Sequence, residues 1–328
     1  MSKVAVLGKL DHKLDIEQKV LGDNITIDII EDPEKESDRL SEYDGFLSWH
    51  FVPFTKEMIS KASKCKAICR IATGFDNIDL EEAGKRGIPV TNVPDYGTEE
   101  VADTAMCSIL NLLRKNSEIA RDQEGSNPKQ IVPTDFIKTY RMHRVSGKEL
   151  GIIGLGSIGM TLALRAKAFN MKVSYFDPKV PPATNKSLGI HKYDTVDELL
   201  KNADVISLHC PLVEKTKNIL NADAFKKCKK GVYVINVARG ELIDEKALVE
   251  ALKSSQVAGA ALDTVCKEPY DGHLSNVPNL IITPHSAFCS FESMEEMRRK
   301  SAEELKRIFN GEDPINIVNE KFLEKKKD

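Results

Sequence analysis

The sequence has almost no excess charge of either sign. Its 328 residues hold 47 Lys plus Arg against 50 Asp plus Glu, a net charge of −3. That balance gives no electrostatic reason to expect nucleic acid or an anionic membrane as a partner. The one basic run, Lys325-Lys326-Lys327, closes the chain and reads as a solvated tail. Long apolar runs are missing too. No stretch is long enough to span a bilayer, and Met1-Ser2-Lys3-Val4-Ala5-Val6-Leu7 reads as a strand rather than a signal peptide. No Cys-x-x-Cys occurs, and the cysteines are odd in number: Cys65, Cys69, Cys107, Cys210, Cys228, Cys266 and Cys289. They read as small core thiols in a reducing compartment. The expectation is a soluble, cytoplasmic protein with no metal site and no solenoid repeat.

What is present is an ordinary globular balance, 41% hydrophobic and 30% charged, over a length that suits two domains. Short β-rich runs at 3–7, 25–30, 45–48, 67–71 and 89–93 alternate with helical patterns such as 56–64 and 80–85. This alternation predicts a parallel sheet with helices on its faces. A longer helix is predicted over 99–115, capped by Thr98. Val101, Ala105, Met106, Ile109, Leu110, Leu112 and Leu113 give it an extended apolar face, read as a surface for a second copy. The polar stretch 116–147, with its breaker cluster Gly125-Ser126-Asn127-Pro128, is read as irregular. Strands then resume at 149–153, 172–176, 205–208, 232–236, 258–262 and 280–283, separated by helices that include 157–168, 196–202 and 245–254. Gly231-Val232-Tyr233-Val234-Ile235-Asn236 is nearly continuously apolar, as in a sheet covered on both faces. A last amphipathic helix is predicted over 293–309. The sequence thus reads as two α/β units.

Within the second unit, Gly154-Leu155-Gly156-Ser157-Ile158-Gly159 follows an apolar strand and opens a helical pattern, the context a dinucleotide-binding G-x-G-x-x-G requires. Gly154 permits the tight turn, Gly156 lets backbone approach a pyrophosphate, and Gly159 lets helix and strand pack closely. The N–H groups near Ser157 and Ile158 would face the phosphates at the positive end of the helix dipole. Asp177, 18 residues after Gly159, ends the next strand. Its carboxylate can accept from a ribose and repel a 2′-phosphate, which favours NAD. The nearby Lys179 keeps NADP open.

Arg239, Glu268 and His285 stand at or just after strand ends of the same unit. In open α/β sheets ligands bind beyond the carboxyl ends of the strands. A cation, an acid and an imidazole gathered there suit the interconversion of a hydroxy acid and a keto acid. Arg239 can hold the carboxylate and polarise the carbonyl. His285 can give and take the proton, and Glu268 can fix its tautomer and favour its charged form. Trp49, His50, Phe51 and Phe288 are candidates for the substrate pocket, although a Trp or Phe near a strand end is core at least as often.

These stretches, together with Arg70-Ile71-Ala72-Thr73-Gly74-Phe75-Asp76-Asn77-Ile78-Asp79, Asn236-Val237-Ala238-Arg239-Gly240 and Thr283-Pro284-His285, resemble the D-isomer-specific 2-hydroxyacid dehydrogenase family over nearly the whole chain. The resemblance is strongest to the branch holding C-terminal-binding proteins and phosphoglycerate dehydrogenases. It implies two doubly wound, Rossmann-like parallel-sheet domains with a cleft between them. The substrate domain would be discontinuous, 1–98 plus 294–328, and the NAD-binding domain would run 99–293. It implies Arg239, Glu268 and His285 as the catalytic set, and Thr73, Val101, Cys210, Pro211, Thr216, Val237, Ala238 and Asp263 as further cofactor contacts, with Asp263 accepting from the nicotinamide carboxamide. Arg70, Thr73 and Gly74 would face the substrate carboxylate, and the chain would form a homodimer. Phe288 stands where C-terminal-binding proteins have Trp, and their long C-terminal extension is not matched. Glu268 stands where formate dehydrogenases carry Gln, which argues against formate as substrate. The expected activity is NAD-dependent interconversion of a D-2-hydroxy acid and its 2-keto acid. Glyoxylate, hydroxypyruvate, pyruvate and longer keto acids all remain open. The alternative is an NAD(H)-responsive dimer that acts by binding protein partners.

Overall fold

The structure is a computed structural model that describes residues 2–10, 12–124, 133–181 and 183–323. The breaker cluster at 125–128 and the basic run at 325–327 lie outside the described residues. The chain divides into two compact units, one of residues 1–97 and 289–328, the other of residues 98–288. Each is built on its own parallel sheet.

The first unit contains β1 (Ser2–Leu7), β2 (Ile25–Ile30), β3 (Gly45–Trp49), β4 (Ala67–Ile71) and β5 (Val90–Thr91), in the order β2-β1-β3-β4-β5. β3 and β4 are buried at every position, which explains why they read as unbroken apolar runs. The helix Phe291–Phe309 belongs to this unit and packs on β3, β4 and the helix Asp15–Leu21. Two features hold it there. A Cβ on Gly45 would lie 2.7 Å from Leu305 Cδ1, so glycine is required for helix and strand to approach this closely. Arg298 donates from Nε and Nη2 to the fully buried Glu17 at 2.8 and 2.7 Å, fastening the two helices.

The second unit contains β6 (Glu149–Ile153), β7 (Lys172–Phe176), β8 (His191–Lys192), β9 (Val205–Leu208), β10 (Val232–Asn236), β11 (Val257–Leu262) and β12 (Leu280–Ile282). Their order is β12-β11-β10-β9-β6-β7-β8. All neighbours are parallel. The order reverses between β6 and β9, the position where open α/β sheets open a crevice at their carboxyl ends. One apolar layer includes Leu199, Phe225, Leu248 and Leu252. The opposite layer includes Ile109, Leu112, Leu162 and Ala166.

Three expectations change. The apolar face of the helix Thr98–Arg114 is not a free surface: Ala105, Met106, Ile109, Leu112 and Leu113 are buried in the core of this unit, against the helix Ser157–Ala168 and strands β10 and β11. The stretch 116–147 is not wholly irregular; it holds the helices Asn116–Asp122 and Pro133–Tyr140. A left-handed Lys115 breaks the long helix, Asn111 Oδ1 accepts from Ser117 N–H at 3.0 Å to restart it, and Tyr140 OH donates to Asp122 at 2.9 Å. The helix Asn116–Asp122 buries no residue, so little apolar patterning announces it. The cysteines are not uniformly core residues either: Cys69, Cys210 and Cys228 are buried, but Cys107, Cys266 and Cys289 are exposed. Among the described residues no helix is long and apolar enough to cross a membrane, and no group of three or more His, Cys, Asp or Glu side chains is placed to hold a metal.

Candidate active site

The glycine turn follows β6 at the reversal of strand order. Gly154 has φ of +95°, and a Cβ there would lie 2.5 Å from the Cys210 nitrogen, so only glycine lets the loops after β6 and β9 touch. His209 N–H closes the same contact by donating to the Ile153 carbonyl at 2.8 Å. A Cβ on Gly159 would lie 2.4 Å from the Gly154 oxygen, whereas one on Gly156 would meet nothing within 4 Å. Gly156 therefore opens onto a cradle at the start of the helix Ser157–Ala168, whose first turn carries no acidic residue. Beside it, Asp177 Oδ2 accepts from Leu155 N–H and Oδ1 from Lys179 N–H, both at 2.8 Å. A helix N-terminus, an open cradle and a carboxylate at the end of β7 fit the pyrophosphate and ribose of a dinucleotide. Cys210 and Pro211 form the facing loop. Thr216 ties that loop together, donating to Pro211 O at 2.6 Å and accepting from Val213 N–H at 2.9 Å. Burial pushes the Cys210 thiol up to about 11, so it stays neutral.

The proposed proton-transfer residues follow β10, β11 and β12. Asn236, fully buried at the end of β10, accepts from Ala238 N–H at 3.0 Å and donates to the Arg239 carbonyl at 2.7 Å. These two bonds shape the turn that presents Val237, Ala238 and Arg239. A Cβ on Gly240 would lie 2.1 Å from the Val265 carbonyl carbon, so the loops after β10 and β11 are in backbone contact there. His285 sits after β12 with φ of +52°, a conformation uncommon for a residue with a side chain. Asp263 imposes it. Its carbonyl accepts from His285 N–H at 2.8 Å, and its buried carboxylate accepts from Ser286 and Ala287 N–H at 3.0 and 2.9 Å and from the Thr283 hydroxyl. Three of the roughly four acceptor positions of that carboxylate are thus spent on bracing the turn.

In this turn His285 Nδ1 lies 2.7 Å from Glu268 Oε2. Burial pushes the Glu268 carboxyl up. The hydrogen bond and charge of His285, the Val265 N–H and the Arg239 charge outweigh it and hold the group below the usual glutamate range. An ionised Glu268 accepts from Nδ1–H and leaves Nε2 as the nitrogen whose proton can change. The Phe288 ring stands edge-on to His285, with centroids 6.2 Å apart. His285 and Glu268 thus meet across the strand ends of β11 and β12, with Arg239 at the neighbouring end of β10.

In the first unit, the side chain of Arg70 is buried, and its guanidinium donates to the carbonyls of Trp49 (2.6 Å), Val52 (3.0 Å) and Gly74 (3.2 Å), to that of His50, to Asn77 and to the Ser48 hydroxyl. Each guanidinium nitrogen donates to the loops after β3 and β4, so Arg70 shapes the loop that carries Thr73 and Gly74. Thr73 is exposed and donates to Val93 O at 3.0 Å, with Gly74 half-buried beside it. Trp49 is core. It is 4% exposed and stacks on the exposed Phe51, with His50 half-buried between them in sequence.

The model for "D-isomer specific 2-hydroxyacid dehydrogenase, NAD binding domain" matches residues 106–287, more than half of the chain. The chain belongs to this family. It is 35% identical over 286 residues to a C-terminal-binding protein 1 of Caenorhabditis elegans, covering 85% of this chain and 39% of that protein. It is 38% identical over 266 residues to a D-3-phosphoglycerate dehydrogenase of Methanocaldococcus jannaschii, covering 81% and 49%. The chain therefore spans less than half the length of these curated relatives. A D-lactate dehydrogenase of Aquifex aeolicus, solved with NAD and lactic acid, superposes with a TM-score of 0.83 at 29% identity, over 96% of this chain and 99% of that one. The second unit of this dehydrogenase-family chain is accordingly an NAD-binding domain.

The residues that position the family's site were harder to read. Asn236 and Gly240 were visible only as neighbours of Arg239, and Asp263 only as a cofactor contact. A polar residue ending an apolar strand, and a glycine directly after a strand-end arginine, were the available signals. Both act through tertiary contacts that a linear sequence does not display.

Proposed function

We propose that the protein interconverts a D-2-hydroxy acid and its 2-keto acid with NAD. The observation that carries this reading is the 2.7 Å contact between His285 and Glu268, with Arg239 at the neighbouring strand end of the domain that bears the dinucleotide turn. NAD supplies or accepts the hydride when bound, held by the N–H groups at Ser157 and Ile158, the cradle at Gly156 and the carboxylate of Asp177. Arg239 pairs with the substrate carboxylate and draws electron density toward the carbonyl oxygen. His285 delivers its Nε2 proton to that oxygen during reduction and recovers it during oxidation. Glu268 accepts from Nδ1–H and holds the ring in one orientation in both directions. In this reading residues 1–98 and 294–328 bind substrate, with Thr73, Gly74 and His50 as contacts, and Phe288 contributes a further one from the cofactor-binding stretch. Residues 99–293 bind cofactor, with Val101, Val237, Ala238 and Asp263 as further contacts. The protein works as a homodimer in the cytoplasm, which light scattering and cell fractionation test.

The decisive assay follows NADH absorbance against a panel of 2-keto acids, with His285→Ala as the control. Turnover of at least one acid that the variant loses supports the reading; no turnover across the panel overturns it. The similarity to a C-terminal-binding protein favours a second reading, an NAD(H)-responsive dimer that binds protein partners. That reading predicts NADH binding without keto-acid turnover.

A further inference from the structure

The loop between β11 and β12 carries Glu268, and a second histidine holds it. Glu245, the first residue of the helix Glu245–Lys253, accepts from Cys266 N–H through Oε1 at 2.7 Å. Its Oε2 lies 3.0 Å from His273 Nε2. His273 Nδ1 lies 2.6 Å from Asp271 Oδ1, and the other Asp271 oxygen pairs with Lys267. The chain of contacts runs from a helix terminus to His273, to Asp271 and to Lys267. It encloses Glu268 between tethers at Cys266 and Lys267 on one side and at Asp271 and His273 on the other. Tyr270 adds to it, its hydroxyl accepting from Leu274 N–H at 3.1 Å and its ring lying 5.4 Å from that of His273. Glu268 itself has little else to hold it locally, since its bond from Val265 N–H is long at 3.4 Å.

We propose that His273 is a positioning residue. As an imidazolium bridging Glu245 and Asp271, it clamps the loop 263–274 and keeps Glu268 in place against His285. This inference rests on the dehydrogenase reading above and extends it to the control of that site. The geometry demands the charged ring: both nitrogens face carboxylate oxygens, and a neutral imidazole carries a hydrogen on only one of them. The groups around it agree. Glu245 and Asp271 face the ring, Glu241 and Asp244 lie near Cys266, and Lys267 is spent on Asp271. The hydrogen bonds to Glu245 and Asp271 hold His273 above the ordinary histidine value. The clamp is therefore complete below that ordinary value and opens as pH rises through the raised one.

The test compares wild type, His273→Gln, Glu268→Gln and the double variant in two measurements. The first is the pH profile of keto-acid reduction. His273→Gln should lower kcat about three- to tenfold below neutral pH and leave the KM for NADH unchanged. In the Glu268→Gln background it should have no further effect, because the two residues act through one contact. The second measurement is amide hydrogen exchange. The Cys266 amide should exchange about tenfold faster in His273→Gln, with β10 amides unaltered. Effects that multiply independently, or unchanged exchange at Cys266, overturn the clamp. A reduction profile indifferent to Glu268→Gln alone counts against the dehydrogenase reading instead, and the exchange measurement then judges the clamp without any catalysis.

Discussion

His285 can serve both directions of a hydride-transfer reaction only if one ring nitrogen keeps a fixed proton and the other exchanges one. The Glu268 contact provides this. The hydrogen bond and charge of His285 in turn help hold the Glu268 carboxyl below its usual range. Because Glu268 is held below its usual range, it stays ionised and paired well into acid. Replacing it by Gln should alter the pH profile of keto-acid reduction and lower kcat, because the ring loses the ionised acceptor that fixes its Nδ1 proton, leaving NADH affinity nearly unchanged. His285→Ala removes the donor and should cost on the order of 10²–10⁴ in kcat. Arg239→Ala should raise KM and lower kcat together, since one side chain anchors and polarises. Asp177 contributes to cofactor choice: the wild type should prefer NAD over NADP by at least about tenfold in kcat/KM, from lost ribose bonds and charge repulsion. Asp177→Ala should narrow that ratio, and it also removes the acceptor of Leu155 N–H. Kinetics with both cofactors decide; equal efficiency in the wild type would refute the assignment.

At the scale of elements, close approach between backbones decides where functional residues end up. Gly45 lets the helix Phe291–Phe309 settle on β3, and Gly240 lets the loop after β10 rest on the loop after β11. The two glycines should answer differently to a methyl group. Gly45→Ala meets the ends of Leu305 and Phe309, side chains that yield partly, and should cost about 1–3 kcal/mol in urea unfolding with the site untouched. Gly240→Ala meets backbone at Val265 and Cys266, which yields less. Separating these loops displaces Arg239 from Glu268, so keto-acid turnover should fall while NADH binding persists. A Gly240→Ala enzyme with wild-type kcat and KM would show that this contact does not position Arg239.

Across the whole molecule the two sheets share a design: parallel strands, covered on both faces, with polar residues emerging at the carboxyl ends. The second sheet also carries a pH liability. His209 follows β9 with its ring 2.7 Å from the Ser207 hydroxyl, and burial pushes it down to about 4. The unfolded chain protonates first as pH falls below the ordinary histidine value, so stability declines from there and levels off once the folded state is also protonated near 4. The loss amounts to about 3 kcal/mol. Denaturant unfolding at pH 7 and pH 5 should show this slope, and His209→Gln should flatten it. A slope that survives the substitution assigns the acid sensitivity to other groups.

The amino-acid sequence by itself determined the strands, the main helices and the placing of Arg239, Glu268 and His285 after strands. Apolar runs bounded by glycine and polar residues are local signals, and so are a phosphate-binding turn opening a helix and an Arg, a Glu and a His each placed after a strand. The sequence reading missed the short helices Asn116–Asp122 and Pro133–Tyr140, which flank a breaker cluster and meet through Tyr140 and Asp122. Nor did it show Arg70 as a buried brace. An arginine at the end of β4 carries no local sign of that role, which depends on the carbonyls brought to it from the loops after β3 and β4. The apolar stripe of Thr98–Arg114 was equally ambiguous, because periodicity shows that a face must be covered and not by what. Tertiary structure resolved each case for one physical reason: burial and hydrogen-bond satisfaction depend on residues distant in sequence, as in the bracing of His285 by Asp263 and the clamp that reaches from Glu245 to His273.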